Sequence, residues 1–155
     1  MFGSNLYLSS SVTNQIVKVN LDKEQALSVV AGNGISGGSD GEATAASFSG
    51  PLDVAVDPDG IYAYVADTGN HLIRRIHLFY RKVTTVAGQF EVKGCADGLG
   101  TAALLNSPTA LVVTPNGERL LFVEGGGDFP NHVVREYRLA PPDKFAVRCD
   151  AAHHQ

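Results

Sequence analysis

Apolar and polar residues alternate over short runs in the middle of the chain, and turn-forming residues separate the runs. Residues 51–57 show this alternation and lead directly into the turn sequence Pro58-Asp59-Gly60. A period of two is typical of a β-strand, because successive side chains point to opposite faces of the sheet. The pattern therefore predicts a meander of four short strands. These strands cover residues 51–57, 62–66, 72–79 and 83–87.

This four-strand pattern recurs along the chain. A shift of 57 positions superposes Pro51 on Pro108 and Gly60 on Gly117, and several neighbouring residues match in the same register. A run of matches at one offset indicates stacked structural units. A weaker copy precedes the middle unit. The units cover about residues 5–32, 51–88 and 108–149, within a single domain over residues 1–155.

The two faces of each unit predict how the units pack. A single four-stranded meander has two apolar faces and cannot bury both by itself, so neighbouring units must stack against it as the blades of a β-propeller do. The first unit has sequence for three strands, and the next two have sequence for four each. We therefore predict an all-β chain of about three antiparallel, four-stranded propeller blades, which is part of a ring.

Short motifs identify the kind of repeat. The middle unit contains the sequence VADTGNHLIRRI, with Asn-His-Leu at residues 70–72. The last unit has Asn-His-Val at 131–133, and the first has the weaker match Asn-Gln-Ile at 14–16. These segments resemble the NHL repeat, which implies a closed propeller, most often of six blades, and this chain has sequence for about half of it. Two interpretations stay open: the chain is a piece of a longer protein, or two copies complete one ring as a homodimer.

Composition and charge narrow the range of partners. The chain is 44% hydrophobic and 18% charged, which is typical of a globular domain. A formal net charge of −4 argues against nucleic acid and against anionic membranes, because both attract positive charge. No segment approaches the roughly 18 consecutive apolar residues of a membrane span. No signal-like segment is visible at the start either, so the compartment stays open, with the cytoplasm as the default.

The motifs of common enzyme chemistries are missing from the sequence. Cys95 and Cys149 lie far apart without zinc-ligand spacing, which predicts two free thiols. No serine lies in a GxSxG elbow, and the glycine runs at 37–38 and 125–127 do not continue into the GKS or GKT of a phosphate loop. We therefore predict no catalytic residue and no cofactor.

The loop face is where a propeller usually binds ligands, because the loops between strands two and three open there together with the loops between blades. Asp67 and Asn70 bracket a tight turn, where we expect them to bind backbone amides while Gly69 takes a positive φ. Asp40 and Asp97 precede glycines in the long loops and are expected to organise them, since no DxDxDG calcium spacing accompanies either. The candidate residues of the loop face are Asp40, Asp67, Asn70, His71, Asp97, Glu124, Asn131 and His132.

His71 and His132 are weak candidates for a metal site. The resemblance suggests zinc, because amidating-lyase members of the family hold zinc with histidines from separate blades. A catalytic zinc needs about three protein ligands, however, and a histidine of the repeat motif more often packs or hydrogen-bonds at its turn. We therefore assign no metal to the chain.

A basic stretch is the best sequence feature for RNA, which some propellers of the family bind. Arg74, Arg75, Arg81 and Lys82 lie close to two aromatic residues. Alternate residues on an outer strand face solvent, so we expect these side chains to form an ordinary exposed surface. The acidic residues of the loop face would also repel phosphate.

These observations favour a non-catalytic interaction or scaffold module that binds a protein or peptide through its glycine-rich loop face. The alternative is a metal-dependent, lyase-like or lactonase-like enzyme built on a complete propeller. The second alternative is an RNA-binding propeller. The sequence does not identify the partner.

Overall fold

The computed structural model describes residues 4–22, 26–125 and 133–139, together with the backbone of 146–149. Within these residues the chain forms thirteen strands in three antiparallel sheets. The first sheet has the strand order β1-β2-β3. Its strands are β1 (Asn5–Ser10), β2 (Gln15–Asn20) and β3 (Ala26–Ala31).

The second and third sheets each have five strands, in the orders β4-β8-β7-β6-β5 and β10-β11-β12-β13-β9. The second sheet comprises β4 (Gly41–Glu42), β5 (Asp53–Val56), β6 (Tyr62–Asp67), β7 (Leu72–His77) and β8 (Lys82–Ala87). The third comprises β9 (Gly98–Leu99), β10 (Pro108–Val113), β11 (Arg119–Glu124), β12 (Val133–Arg138) and β13 (Ala146–Cys149). The sequence did not predict β4 and β9, which are two residues long and pair with the outer strands β8 and β13.

The second sheet lies between the other two and buries both of its faces. Its front face, defined by Ala63, Val65 and Ile76, packs in one core with residues of the first sheet. Its rear face, defined by Tyr64, Ala66 and Ile73, packs in a second core with residues of the third sheet. Alternate residues of β6 thus enter different cores, as the period of two requires. The predicted all-β architecture of stacked antiparallel propeller blades is confirmed.

The register of the first sheet corrects the sequence alignment by one residue. Ser10 pairs with Gln15 across the first turn, and Asp67 pairs with Leu72 across the corresponding turn of the second sheet. Asn14 therefore occupies the position of His71, whereas the sequence match placed it on the preceding asparagine. The extra residue of the first unit lies later, between β2 and β3, which are separated by 21–25, while β7 and β8 are separated by 78–81.

Among the residues that the structure describes, no helix is long and apolar enough to cross a membrane. The helical elements in the described part of the chain are three short 3₁₀ turns, at Ala43–Ala45, Thr68–Asn70 and Gly100–Ala102. Cys95 is an exposed free thiol, as predicted. The side chain of Cys149 lies outside the described residues.

Candidate functional site

The turn between β6 and β7 contacts both of the loops that join consecutive sheets. On one side, the Asp67 carboxylate accepts the backbone N–H of Ser49 at 2.8 Å. On the other side, Nδ1 of His71 accepts the backbone N–H of Ser107 at 3.1 Å. The turn and the two long loops therefore meet at one end of the sheets, which we call the loop face.

Arg74 is the centre of a buried polar cluster on this side of the second sheet. Its side chain is 0% exposed, and its guanidinium donates to the carboxylates of Asp67 at 2.9 Å and Asp40 at 2.8 Å. It also donates to the carbonyl oxygens of Ser39 at 2.8 Å and Ser47 at 3.0 Å. The expectation that Arg74 faces solvent is therefore wrong, because four acceptors from the protein replace its water.

Two further side chains complete the cluster and bind the connecting loop. Asn70 donates from Nδ2 to the Asp67 carboxylate at 2.7 Å and to the carbonyl oxygen of Gly37 at 2.8 Å. The half-exposed Asp40 carboxylate accepts the backbone N–H and the hydroxyl of Thr85 at 3.1 and 3.0 Å. The loop is thereby attached to both β7 and β8. This second-sheet cluster comprises Asp40, Asp67, Asn70 and Arg74.

An equivalent cluster holds the third sheet. The buried Arg135 donates to the Glu124 carboxylate at 3.3 Å and to the carbonyl oxygens of Leu104 at 2.6 Å and Ala96 at 3.0 Å. Asp97 lies 3.5 Å from the same guanidinium. Each acceptor lies 57 positions after its counterpart in the second-sheet cluster. This third-sheet cluster comprises Asp97, Glu124 and Arg135.

Burial is the largest influence on the pKa of the central carboxylate in each cluster. Burial raises the pKa of Asp67, and the Ser49 amide, Asn70 and the charge of Arg74 oppose this rise. Burial also raises the pKa of Glu124, and the charge of Arg135 is the largest opposing effect. Each carboxylate already accepts hydrogen bonds from its own fold, so its contacts are those of a structural anchor.

Backbone geometry at the turn differs from the expectation for Gly69. Gly69 does not have a positive φ; His71 does, at 59°. Glycine is needed at 69 for another reason, because a Cβ there would lie 2.7 Å from the carbonyl oxygen of Ser49. The expectation of a positive φ at Gly69 was wrong. The structure requires glycine there because the connecting loop approaches too closely to leave room for a side chain.

His71 uses one ring nitrogen as an acceptor, which sets its protonation state. Since Nδ1 accepts the Ser107 N–H, the proton of the neutral ring lies on Nε2. Burial lowers the pKa of His71, and the nearby charge of Lys93 lowers it further. Among the described residues, no group of three or more His, Cys, Asp or Glu could hold a metal ion. Asn131 and His132 lie outside the described residues.

The basic residues of the stretch 74–82 differ in burial and in the groups that they contact. Arg74 is buried, and the guanidinium of Arg81 donates to the carbonyl oxygens of Val29 and Val30 in the first sheet. Arg75 lies over the ring of Tyr62, with its Cζ atom 4.8 Å from the ring centroid. Arg74 is therefore removed from the surface, whereas Arg81 is exposed and is held against the first sheet by its hydrogen bonds. Phe79 and Tyr80 remain exposed beside them.

Exposed apolar side chains on the long loops are a feature that sequence reasoning missed. Ile35 is 70% exposed and Val92 is 43% exposed, and the two residues occupy equivalent positions 57 residues apart. Phe90 is also exposed, and its ring lies against Gly38, where a Cβ would be 2.2 Å from the ring. The signal in the sequence was an apolar residue at the same repeat position of each loop, Ile35 and Val92, amid glycine and polar residues.

Sequence comparisons connect the chain with NHL-repeat proteins. The chain is 42% identical over 86 residues to NHL repeat-containing protein 2 of Gallus gallus, a match that covers 56% of this chain and 11% of the relative. It is 31% identical over 112 residues to the chloroplastic protein SUPPRESSOR OF QUENCHING 1 of Arabidopsis thaliana, covering 71% of this chain and 10% of that protein. The chain thus spans about a tenth of the length of these relatives. No family model matches the chain.

Solved structures show the same fold at low sequence identity. A structural-genomics protein of unknown function from Bacteroides thetaiotaomicron superposes with a TM-score of 0.75 at 24% identity, covering 94% of this chain and 33% of that one. A gluconolactonase from Xanthomonas campestris superposes with a TM-score of 0.59 at 18% identity, covering 94% and 42% of the two chains. At these identities the likeness concerns the fold alone. The solved structures therefore show the β-propeller fold, and the matches to NHL repeat-containing protein 2, together with the repeat motif, support the NHL-repeat family for this chain.

Proposed function

We propose that this chain is a non-catalytic propeller module that binds a protein or peptide through its loop face. The observation that carries the proposal is the exposure of apolar side chains on two successive loops, beside the candidate residues Asp40, Asp67 and His71, whose polar groups already bind within the fold. Exposed apolar side chains in a polar surrounding are typical of a protein-binding surface.

The engaged polar groups support a binding role over a catalytic one. A catalytic acid, base or nucleophile must direct a reactive group toward the substrate. Asp67 and Glu124 instead direct their carboxylates at buried arginines, and His71 directs Nδ1 at a backbone amide. These contacts favour a surface that recognises a partner by shape and apolar contact.

The loops can present such a surface in a fixed conformation. The second-sheet cluster anchors the loop that contains Ile35, and Phe90 of the next loop packs on Gly38 of the same loop. A preordered surface loses less conformational entropy on binding, which favours affinity. The partner that fits is an extended peptide or protein loop with apolar side chains.

The lactonase-like alternative has the fold of the gluconolactonase in its favour, but that resemblance does not extend to chemistry. It predicts lactone hydrolysis that depends on an added divalent cation. The test is to incubate the chain with gluconolactone in the presence of Ca²⁺ or Zn²⁺ and to follow acid release. Cation-dependent hydrolysis above the spontaneous rate would favour the enzyme over the binding module.

The proposed binding is tested by selecting peptides from a phage-displayed random library on the immobilised chain. Binding of a selected, synthesised peptide is then measured by fluorescence anisotropy with variants Ile35→Asp and Phe90→Asp. We expect apolar peptides to be enriched and each variant to weaken binding at least tenfold, since the charge would have to be buried on contact.

The matched control for these variants is Phe79→Asp, which alters an exposed aromatic residue in the turn between β7 and β8, at the opposite end of these strands from the β6–β7 turn. The control variant is expected to bind like the unmodified chain. Failure to enrich any peptide, or loss of binding in the control variant alone, would contradict the proposed loop-face function.

A further inference from the structure

A small cavity lies between the first and second sheets, toward the end of the strands opposite the loop face. It has a volume of about 150 Å³ and is lined by Tyr7, Lys18 and Ser28, one from each strand of the first sheet. Leu78 and Arg81, in the turn between β7 and β8, line it from the second sheet. The two sheets share a core, so the cavity belongs to an internal interface of the chain.

The strand register places three polar side chains of the first sheet in one row. Tyr7 pairs with Lys18, and Lys18 pairs with Ser28. Residues paired across neighbouring strands lie on the same face of a sheet. Tyr7 packs against the core shared with the second sheet, so the whole row faces that sheet. Lys18 is half-buried on this face.

The equivalent row of the second sheet is occupied by Tyr64, Arg75 and Thr84. There, Tyr64 is buried and its side chain forms a hydrogen bond with Arg75. The facing position of the third sheet holds Tyr137, which is also buried and lies near both residues. The facing position of the second sheet holds the smaller Ile76. The row of the first sheet is therefore not filled as its counterpart is.

The fold does not use the polar groups of this first row. Within the described part of the chain, the side chains of Tyr7, Lys18 and Ser28 have no hydrogen-bond or ion-pair partner. Burial raises the pKa of Tyr7, so its hydroxyl keeps its proton at neutral pH and can donate. The cavity is therefore lined by one ammonium group and two hydroxyls that are available to a ligand.

Arg81 supplies a second cation to the cavity. Its guanidinium donates from Nε to the carbonyl oxygen of Val30 at 3.1 Å, and it also donates to the carbonyl oxygen of Val29. These acceptors are neutral, so they hold the guanidinium in place and leave its charge uncompensated. None of the described lining residues is acidic. The cavity is thus locally positive in a chain whose net charge is −4.

We infer that this cavity binds a phosphate group, either as free inorganic phosphate or as the phosphoryl end of a small ligand. A phosphate carries up to about two negative charges and several acceptor oxygens, which match two cations and two hydroxyl donors. Pockets that enclose a whole organic ligand are larger, at about 300–1,000 Å³, so the phosphate alone would be enclosed. The site lies away from the loop face and does not depend on the proposed peptide binding.

The first experiment titrates the isotope-labelled chain with inorganic phosphate at constant ionic strength and follows the backbone amides by NMR. We expect saturable shifts at Lys18, Ser28 and Arg81. The amides of Ser49 and Ser107, which are bonded at the loop face, should not shift. A response that does not saturate, or shifts confined to residues away from the cavity, would overturn the site.

The variant Lys18→Gln removes one cation and is expected to weaken phosphate binding about tenfold or more, because a charge-assisted hydrogen bond is lost. The matched control is Lys82→Gln, which removes an equal charge from an exposed lysine beside Arg81 that does not line the cavity. The control should bind phosphate like the unmodified chain, since solvent screens its charge. Equal weakening by both variants would indicate a nonspecific charge effect and contradict the site.

The variant Tyr7→Phe tests the same site without changing its charge. It keeps the ring that packs on the core and removes only the hydroxyl, so the fold should be retained, which circular dichroism checks. We expect weaker phosphate binding than in the unmodified chain because one donor is lost. Unchanged binding in both Tyr7→Phe and Lys18→Gln would refute the assignment.

Three anions identify the chemistry that the cavity recognises. Glycerol phosphate binding more tightly than inorganic phosphate would identify the phosphoryl end of an organic ligand. The reverse order would identify the free ion, and either order supports a phosphate site. Acetate carries a single charge and should bind more weakly than both. Acetate binding as tightly as phosphate would overturn the inference.

Discussion

The first and second sheets share their strand register but are anchored at the loop face by different means. In both, a residue with positive φ at the end of the β-turn accepts an amide of the next connecting loop: Asn14 bonds the Gly50 N–H at 2.8 Å, as His71 bonds Ser107. The first sheet, however, has Ser10 where the second has Asp67. It lacks the buried ion pair.

This difference shows what the polar residues of the repeat do. Arg74 finds three of its four acceptors in the loop that precedes its own sheet, at Ser39, Asp40 and Ser47. Val17 occupies the corresponding position in the first sheet and needs none. The charged residues are therefore present where a connecting loop must be held on a sheet.

The largest effect is expected when Arg74 alone is changed to the first sheet's residue. Arg74→Val leaves the Asp67 carboxylate buried without its cation, which should lower the free energy of unfolding by about 3–5 kcal/mol. Urea denaturation measures this loss in the free energy of unfolding. The control Arg75→Val removes the contact with the Tyr62 ring and a hydrogen bond with the Tyr64 side chain, and it should cost about 1–2 kcal/mol. Equal losses for the two variants would show that the buried pair has no special role.

A smaller loss is expected for Gly69→Ala. The added Cβ would meet the Ser49 backbone at 2.7 Å, so the connecting loop must shift, at a cost of about 1–3 kcal/mol. The corresponding residue of the first sheet, Val12, is 90% exposed. Val12→Ala should therefore leave the melting temperature unchanged, and a similar loss for both variants would refute the close approach of the loop.

Asn14 and His71, which accept the equivalent hydrogen bonds in the first and second sheets, should differ in their response to pH. The lowered pKa of His71 means that the unfolded state takes up a proton first as pH falls below about 6.5, so stability decreases from there through the folded-state pKa. The variant His71→Asn copies Asn14 and should lose this dependence while keeping the acceptor. Thermal unfolding from pH 8 to 5 tests it, and an unchanged pH profile in the variant would contradict this role.

The smallest effect is expected for Asp40→Asn. This carboxylate is half-exposed, so its ion pair with Arg74 is screened by solvent and should be worth about 0.2–1 kcal/mol at low salt. The difference from the unmodified chain should diminish as salt is added. A loss as large as that of Arg74→Val would mean that the exposed carboxylate, rather than Asp67, is the main partner.

The sequence predicted the architecture because repeats and period-two alternation are local signals. It did not predict the burial of Arg74, because the acceptors at Ser39 and Ser47 lie 35 and 27 residues away along the chain. An arginine in a strand is ordinarily exposed, and only the folded loop reverses that expectation. One signal was available, since Arg135 follows Glu124 in the third unit much as Arg74 follows Asp67.

The sequence predicts that Asp40, Asp67, Asn70 and His71 lie at the loop face, where the structure places them, but it did not predict which groups they contact. Their role in binding a partner stays a prediction. Tight turns allow several conformations for the same residues, so the positive φ was assigned to Gly69 rather than to His71. The exposed apolar residues Ile35 and Val92 recur at the repeat offset, but they lie in loops, where no strand or helix periodicity tells a buried side chain from an exposed one. Their significance depends on neighbours that only the fold brings together.

The most direct test of the claim that the loop-face ion pairs serve the fold is a double-mutant cycle on Asp67 and Arg74. Unfolding free energies are measured for Asp67→Ser, Arg74→Val and the double variant, which has the residues of the first sheet. We predict a folded double variant that is more stable than Arg74→Val alone, with a coupling energy of about 1–3 kcal/mol. Losses that add within about 0.5 kcal/mol would contradict the claim.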